Sequence, residues 1–115
     1  MCTAAIAVVA DDLLTTEACL TEALYLVGKA GGDIAQDLLW SMIDEGDIKV
    51  AATSNSIRSR ARVYMARYAN LPCDYADATL AVVAEDMGIR RILTIDKHFW
   101  AYRLSDGSSF EVLPI

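Results

Sequence analysis

The stretch DYADATLAVVAEDMGIRRILTID, running from Asp74 to Asp96, carries the pattern that decides the fold. Asp74 can cap a helix, and Asp77 falls in its first turn, where the helix dipole favours a negative charge. Ala76, Ala78, Leu80 and Ala81 surround Asp77 with apolar neighbours. Gly88 suits the position just past a helix end, and Arg91-Ile92-Leu93-Thr94-Ile95 then reads as a strand that Asp96 ends. Strands alternating with such helices predict an α/β domain with a mainly parallel sheet covered on both faces. Functional groups gather at the carboxyl ends of such strands, which is where Asp96 stands.

Upstream, residues 1–10 read as helical, and Leu13-Leu14-Thr15 is short and apolar, as a buried strand would be. Thr16 offers an N-cap for a helix to about Gly28. Gly31-Gly32 breaks the chain, and Ile34, Leu38, Leu39, Met42 and Ile43 recur at helical spacing between Asp33 and Glu45. After the Gly46-Asp47 turn, Ile48 to Ala52 reads as a strand. Ser54 or Asn55 can cap a helix to about Tyr68. Downstream of Asp96, His98 to Leu104 is expected to form a short helix and Phe110 to Leu113 a last strand.

One domain, residues 1–115, is what this length permits, and 55% hydrophobic content supports a packed core. No apolar run approaches the roughly 20 residues that span a bilayer. The apolar opening lacks a positive start and meets Asp11-Asp12 at once, unlike an export signal. Cys2, Cys19 and Cys73 make an odd count without CxxC spacing. That argues against a zinc site or a disulfide framework and predicts a reducing, cytoplasmic setting. A formal net charge of −6 disfavours broad non-specific nucleic-acid binding. The basic residues are nevertheless uneven: Arg58, Arg60, Arg62 and Arg67 lie close together. They form either a solvated helix face or a stripe that steers a phosphate backbone.

Each acid has a structural reading beside a chemical one. Asp74 can serve purely as a cap, and Asp96 can cap a helix starting at Lys97. Glu17 is an ordinary first-turn acid expected to be exposed. Glu22 lies between Ala18 and Leu26 on an apolar stripe, and Asp77 sits among apolar neighbours, so each needs a partner if it faces inward. Glu22, Asp77 and Asp96 have no evident basic partner in sequence. Clustered carboxylates repel unless a cation holds them, and an all-oxygen set suits Mg²⁺ or Mn²⁺. A cation held this way suggests phosphodiester hydrolysis. Thr94 can hydrogen-bond a ligand carboxylate or a water, and Arg58 and Arg62 are candidates for substrate contact.

The segments TTEACLTEALYL, YMARYANLPCDYADATLAVVAEDMGIRRILTIDKHF and FEVLP resemble PIN domains, in particular the VapC-type toxin ribonucleases of bacterial toxin–antitoxin pairs. The resemblance spans about Leu13 to Pro114. It implies a three-layer α/β/α sandwich and metal-dependent endonucleolytic cleavage of RNA. Glu22, Asp77 and Asp96 match the family's acids, and Asp74 matches an additional acid found in part of it. It also implies a homodimer and a co-encoded antitoxin protein as partners. The family's first strand and its Asp have no counterpart, so the chain is expected to be an N-terminally shortened PIN domain. A swapped element or a symmetric dimer would then cover the gap, and cleavage would be weak or absent. The alternative function is a non-catalytic PIN-fold binding module that pairs with an antitoxin-like protein or with itself. A phosphoacceptor domain fits poorly, because Lys97 follows Asp96 directly.

Overall fold

A computed structural model describes residues 5–9, 12–70, 73–89, 91–94, 102–103 and 107–113, with side chains at 13–70, 73–89, 102–103 and 107–111. The elements are β1 (Ala5–Val9), β2 (Asp12–Thr16), α1 (Glu17–Asp44), β3 (Ile48–Ala51), α2 (Asn55–Arg67), α3 (Tyr75–Asp86), β4 (Arg91–Thr94) and β5 (Glu111–Leu113). The strands form one sheet in the order β3-β2-β1-β4-β5. β2 pairs parallel with β3, and β4 parallel with β5. β1 runs antiparallel to both β2 and β4, so the other four strands share one direction.

β1 corrects the sequence reading, which made residues 1–10 helical. The run AIAVV holds three β-branched residues and lies between two neighbouring strands. A short continuous apolar run fits a buried strand as well as a buried helix turn, and periodicity cannot separate them. The sheet's centre is therefore filled from within the chain, by Ala5–Val9, not by a swapped element or a second copy. The short helix expected at His98–Leu104 is not seen at Tyr102 and Arg103, where Arg103 makes an isolated antiparallel bridge to Ser109. The rest of that segment lies outside the described residues.

The other elements follow their local signals. Thr16 caps α1 by accepting from the Cys19 N–H at 3.3 Å, and Ser54 caps α2 by accepting from the Ile57 N–H at 3.2 Å. α1 is two limbs broken at Gly32, whose φ of 66° and ψ of −157° only glycine adopts readily. The limbs fold back on each other: the Gln36 side-chain amide donates to the Leu24 carbonyl at 2.9 Å. α3 is the centre of the packing. Its residues Ala76 to Ala84 are all buried, and it contacts β1, β2, α1 and α2. A helix apolar on every side belongs inside a domain, and its four alanines let neighbours approach closely.

Candidate functional site

Thr16 closes β2 at the carboxyl edge of the sheet, and Thr94 closes β4 at the same edge, opposite Ala5 of β1. The side chain of Thr94 lies outside those described, and Asp96, two residues further on, lies outside the described residues altogether. At this edge α1 begins, and α3 presents its first turn.

A chain of hydrogen bonds joins the two helices. The Thr16 hydroxyl lies 2.9 Å from the Thr79 hydroxyl, and Thr79 donates to the Ala76 carbonyl at 2.8 Å. Each hydroxyl has one proton to give. Since Thr79 gives its proton to Ala76, Thr16 must donate to Thr79 while accepting from the Cys19 N–H. The Cys19 thiol closes the circuit by donating to the same Ala76 carbonyl at 3.3 Å. Thr16 and Thr79 are fully buried, so this pairing fixes α1 against the first turn of α3. Sequence reasoning gave Thr16 only a capping role and passed over Thr79. The signal for Thr79 was a hydroxyl on an otherwise apolar helix.

Asp77 sits inside this first turn with its side chain fully buried. Asp74 caps the helix by accepting from the Asp77 N–H at 3.0 Å, so the two acids share one turn. Glu22 is half-buried on α1, three residues past Cys19. Residues three apart are neighbours on a helix surface, and Cys19 touches α3. Glu17 is exposed, as expected. Among the described residues no group of three His, Cys, Asp or Glu gathers in a way that could hold a metal ion. The oxygen donors placed at the start of α3 are the carboxylates of Asp74 and Asp77 and the hydroxyl of Thr79, which meets that of Thr16. Arg58 and Arg62 are exposed on α2, and Arg58 donates to Asn55 in its own helix at 2.8 Å.

The PIN-domain family model matches residues 2–104, and the chain belongs to that family. Its fold is similar to that of VapC20 of Mycobacterium tuberculosis, a sarcin-ricin loop cleaving toxin. The similarity has a TM-score of 0.65 at 18% identity and covers 72% of this chain. This chain covers 64% of the length of that structure. No curated protein sequence matches it.

Proposed function

We propose that the chain is a metal-dependent endoribonuclease of the PIN-domain type, acting as the toxin of a toxin–antitoxin pair. The observation that carries this reading is Asp77: a carboxylate fully buried in the first turn of an apolar helix, locked beside the start of α1. Asp77, Glu22 and Asp96 would hold Mg²⁺ or Mn²⁺, with Asp74 supporting the turn that presents Asp77. The chemistry such an ion would supply is charge neutralisation at a phosphate and activation of a water. Thr94, at the same sheet edge, would orient a carboxylate or that water, with Arg58 and Arg62 contacting the RNA backbone. A cytoplasmic setting fits Cys19 and Cys73, neither of which is in a disulfide.

The test is cleavage of matched single-stranded RNA and DNA oligonucleotides with Mg²⁺, with Mn²⁺ and with EDTA. The expected result is cleavage of RNA that EDTA abolishes. Cleavage undiminished in EDTA would overturn the metal's role, and DNA cut as fast as RNA would overturn the substrate.

A second reading has its own observation. Ile34 is 78% exposed and Leu38 64%, one helical turn apart, with Met42 a further turn along. An apolar row left open to water marks a protein-contact surface, as a non-catalytic module pairing with an antitoxin-like protein or with itself would need. Thermal unfolding with Mn²⁺ separates the two readings. An ion that binds only the folded chain raises the melting temperature by mass action, by several degrees at about 100 times its Kd. No shift at millimolar Mn²⁺ would favour the binding module.

A further inference from the structure

On the face where α2 meets α3, a pocket of about 210 Å³ is edged by Arg60, Arg67 and Arg103. Its walls are Val63, Tyr64 and Val82, and among the described residues Glu85 is the one acid lining it. It is distinct from the carboxylate site. Glu85 lies eight residues beyond Asp77 on α3, about 12 Å along the axis.

The three guanidinium groups are held differently. Arg60 bridges the helices, with contacts of 2.6 Å to Asp86 and 3.6 Å to Glu85. Arg103 is set by its backbone, whose N–H donates to the Tyr68 hydroxyl at 2.8 Å and whose carbonyl accepts from the Tyr64 hydroxyl at 3.3 Å, and its guanidinium donates to the Tyr102 carbonyl at 3.1 Å. Tyr64 and Tyr68 pack on each other and on the fully buried Tyr102, with ring centroids 5.0 to 5.7 Å apart. A tyrosine cluster thus holds residue 103 at the pocket before any ligand arrives. Arg67 makes no ion pair among the described residues and lies over the Tyr68 ring at 5.4 Å. Stacking on an aromatic face leaves the edge N–H donors of a guanidinium available.

Asp86 and Glu85 balance Arg60, while Arg67 and Arg103 bring further positive charge to the same apolar-walled pocket. On a chain of net charge −6 this concentration is anomalous. An anion relieves it, and a guanidinium fork matches phosphate in shape and charge. We propose that this pocket is an anion site that takes a phosphate group, supplied by a polynucleotide backbone or as free phosphate. Such a site would grip a strand away from the point of cleavage. Only the polynucleotide source rests on the ribonuclease reading; the anion site does not.

The test uses the full chain and two probes, inorganic phosphate and a short single-stranded RNA. The RNA arm is run on the Asp77→Asn background to prevent cleavage. Phosphate titrated by NMR should shift the backbone signals of Arg67 and Arg103. Arg67→Gln should weaken phosphate binding about tenfold, the scale of one charge-assisted hydrogen bond, and Arg67→Lys should restore part of it. Arg67 is exposed, so its replacement should leave the melting temperature unchanged. If the source is a polynucleotide, Arg67→Gln should also lower the salt dependence of RNA binding by about one phosphate contact. Phosphate binding that responds to Arg67→Gln while RNA binding does not would identify free phosphate as the ligand. Phosphate shifts absent or indifferent to Arg67→Gln would overturn the site. Acetate binding as tightly as phosphate would replace the phosphate assignment with a carboxylate one.

Discussion

Thr79 shows how one hydroxyl on an apolar helix decides where two carboxylate-bearing helices meet. Replacing it with Val keeps the shape but strands the buried Thr16 proton. We expect a loss of about 1–3 kcal/mol in urea unfolding, with Thr79→Ser recovering most of it. Equal stability of the Val and Ser variants would show that the hydroxyl pair contributes nothing. Tyr64 gives a pH-dependent counterpart. Burial, reinforced by the neighbouring Tyr68 and Cys73, holds its phenol well above the ordinary value. A group whose pKa is raised on folding stabilises the fold fully below its unfolded value, about 10, and loses that contribution as pH rises. Stability should therefore fall from about pH 9 to about pH 11, and fall less in Tyr64→Phe; identical profiles would exclude Tyr64 as the cause. The acids were partly legible at this scale. The capping role of Asp74 and the exposure of Glu17 follow from local helix chemistry. The Thr16–Thr79 contact joins residues 63 apart in sequence, and no local rule reaches that far.

The elements were legible where a signal is self-contained. The caps at Thr16, Ser54 and Asp74, the break at Gly31-Gly32 and the end at Gly88 each express a backbone requirement that one or two residues satisfy. Residues 5–9 were misread because their fate depends on what lies beside them. AIAVV becomes a strand by pairing on both sides, with β2 and β4, and such pairing leaves no periodic mark. α3 was readable as a helix, and its burial on all sides was foreshadowed by its alanines. Leu80, fully buried on α3, makes the clearest packing prediction. Leu80→Ala should lower stability by about 2–5 kcal/mol, read as a fall in urea midpoint; a change below about 1 kcal/mol would mean that the core is not centred on α3. Gly32→Ala should cost about 1–3 kcal/mol, because its φ of 66° disfavours any side chain.

Across the whole molecule, the structure separates three features: the buried Asp77 in the first turn of α3, a basic pocket between α2 and α3, and an apolar row on the second limb of α1. Asp77 was singled out in the sequence by its apolar neighbours, and the structure buries it. The second was anticipated only in part: Arg60 and Arg67 belong to the basic stripe read from sequence, but Arg103 joins them from a distant segment, and Arg58 and Arg62 do not line the pocket. Among the described residues no helix is long and apolar enough to cross a membrane. The role proposed for the buried Asp77 carboxylate is to hold a divalent ion for RNA cleavage. Its most direct test compares the wild-type chain with Asp77→Asn, measuring RNA cleavage and the Mn²⁺-induced rise in melting temperature on the same samples. The variant is expected to fold, to lose the Mn²⁺ shift, and to cleave about 100-fold more slowly or worse, since a bound metal contributes several kcal/mol to the transition state. A variant that keeps both the shift and the wild-type cleavage rate would contradict it.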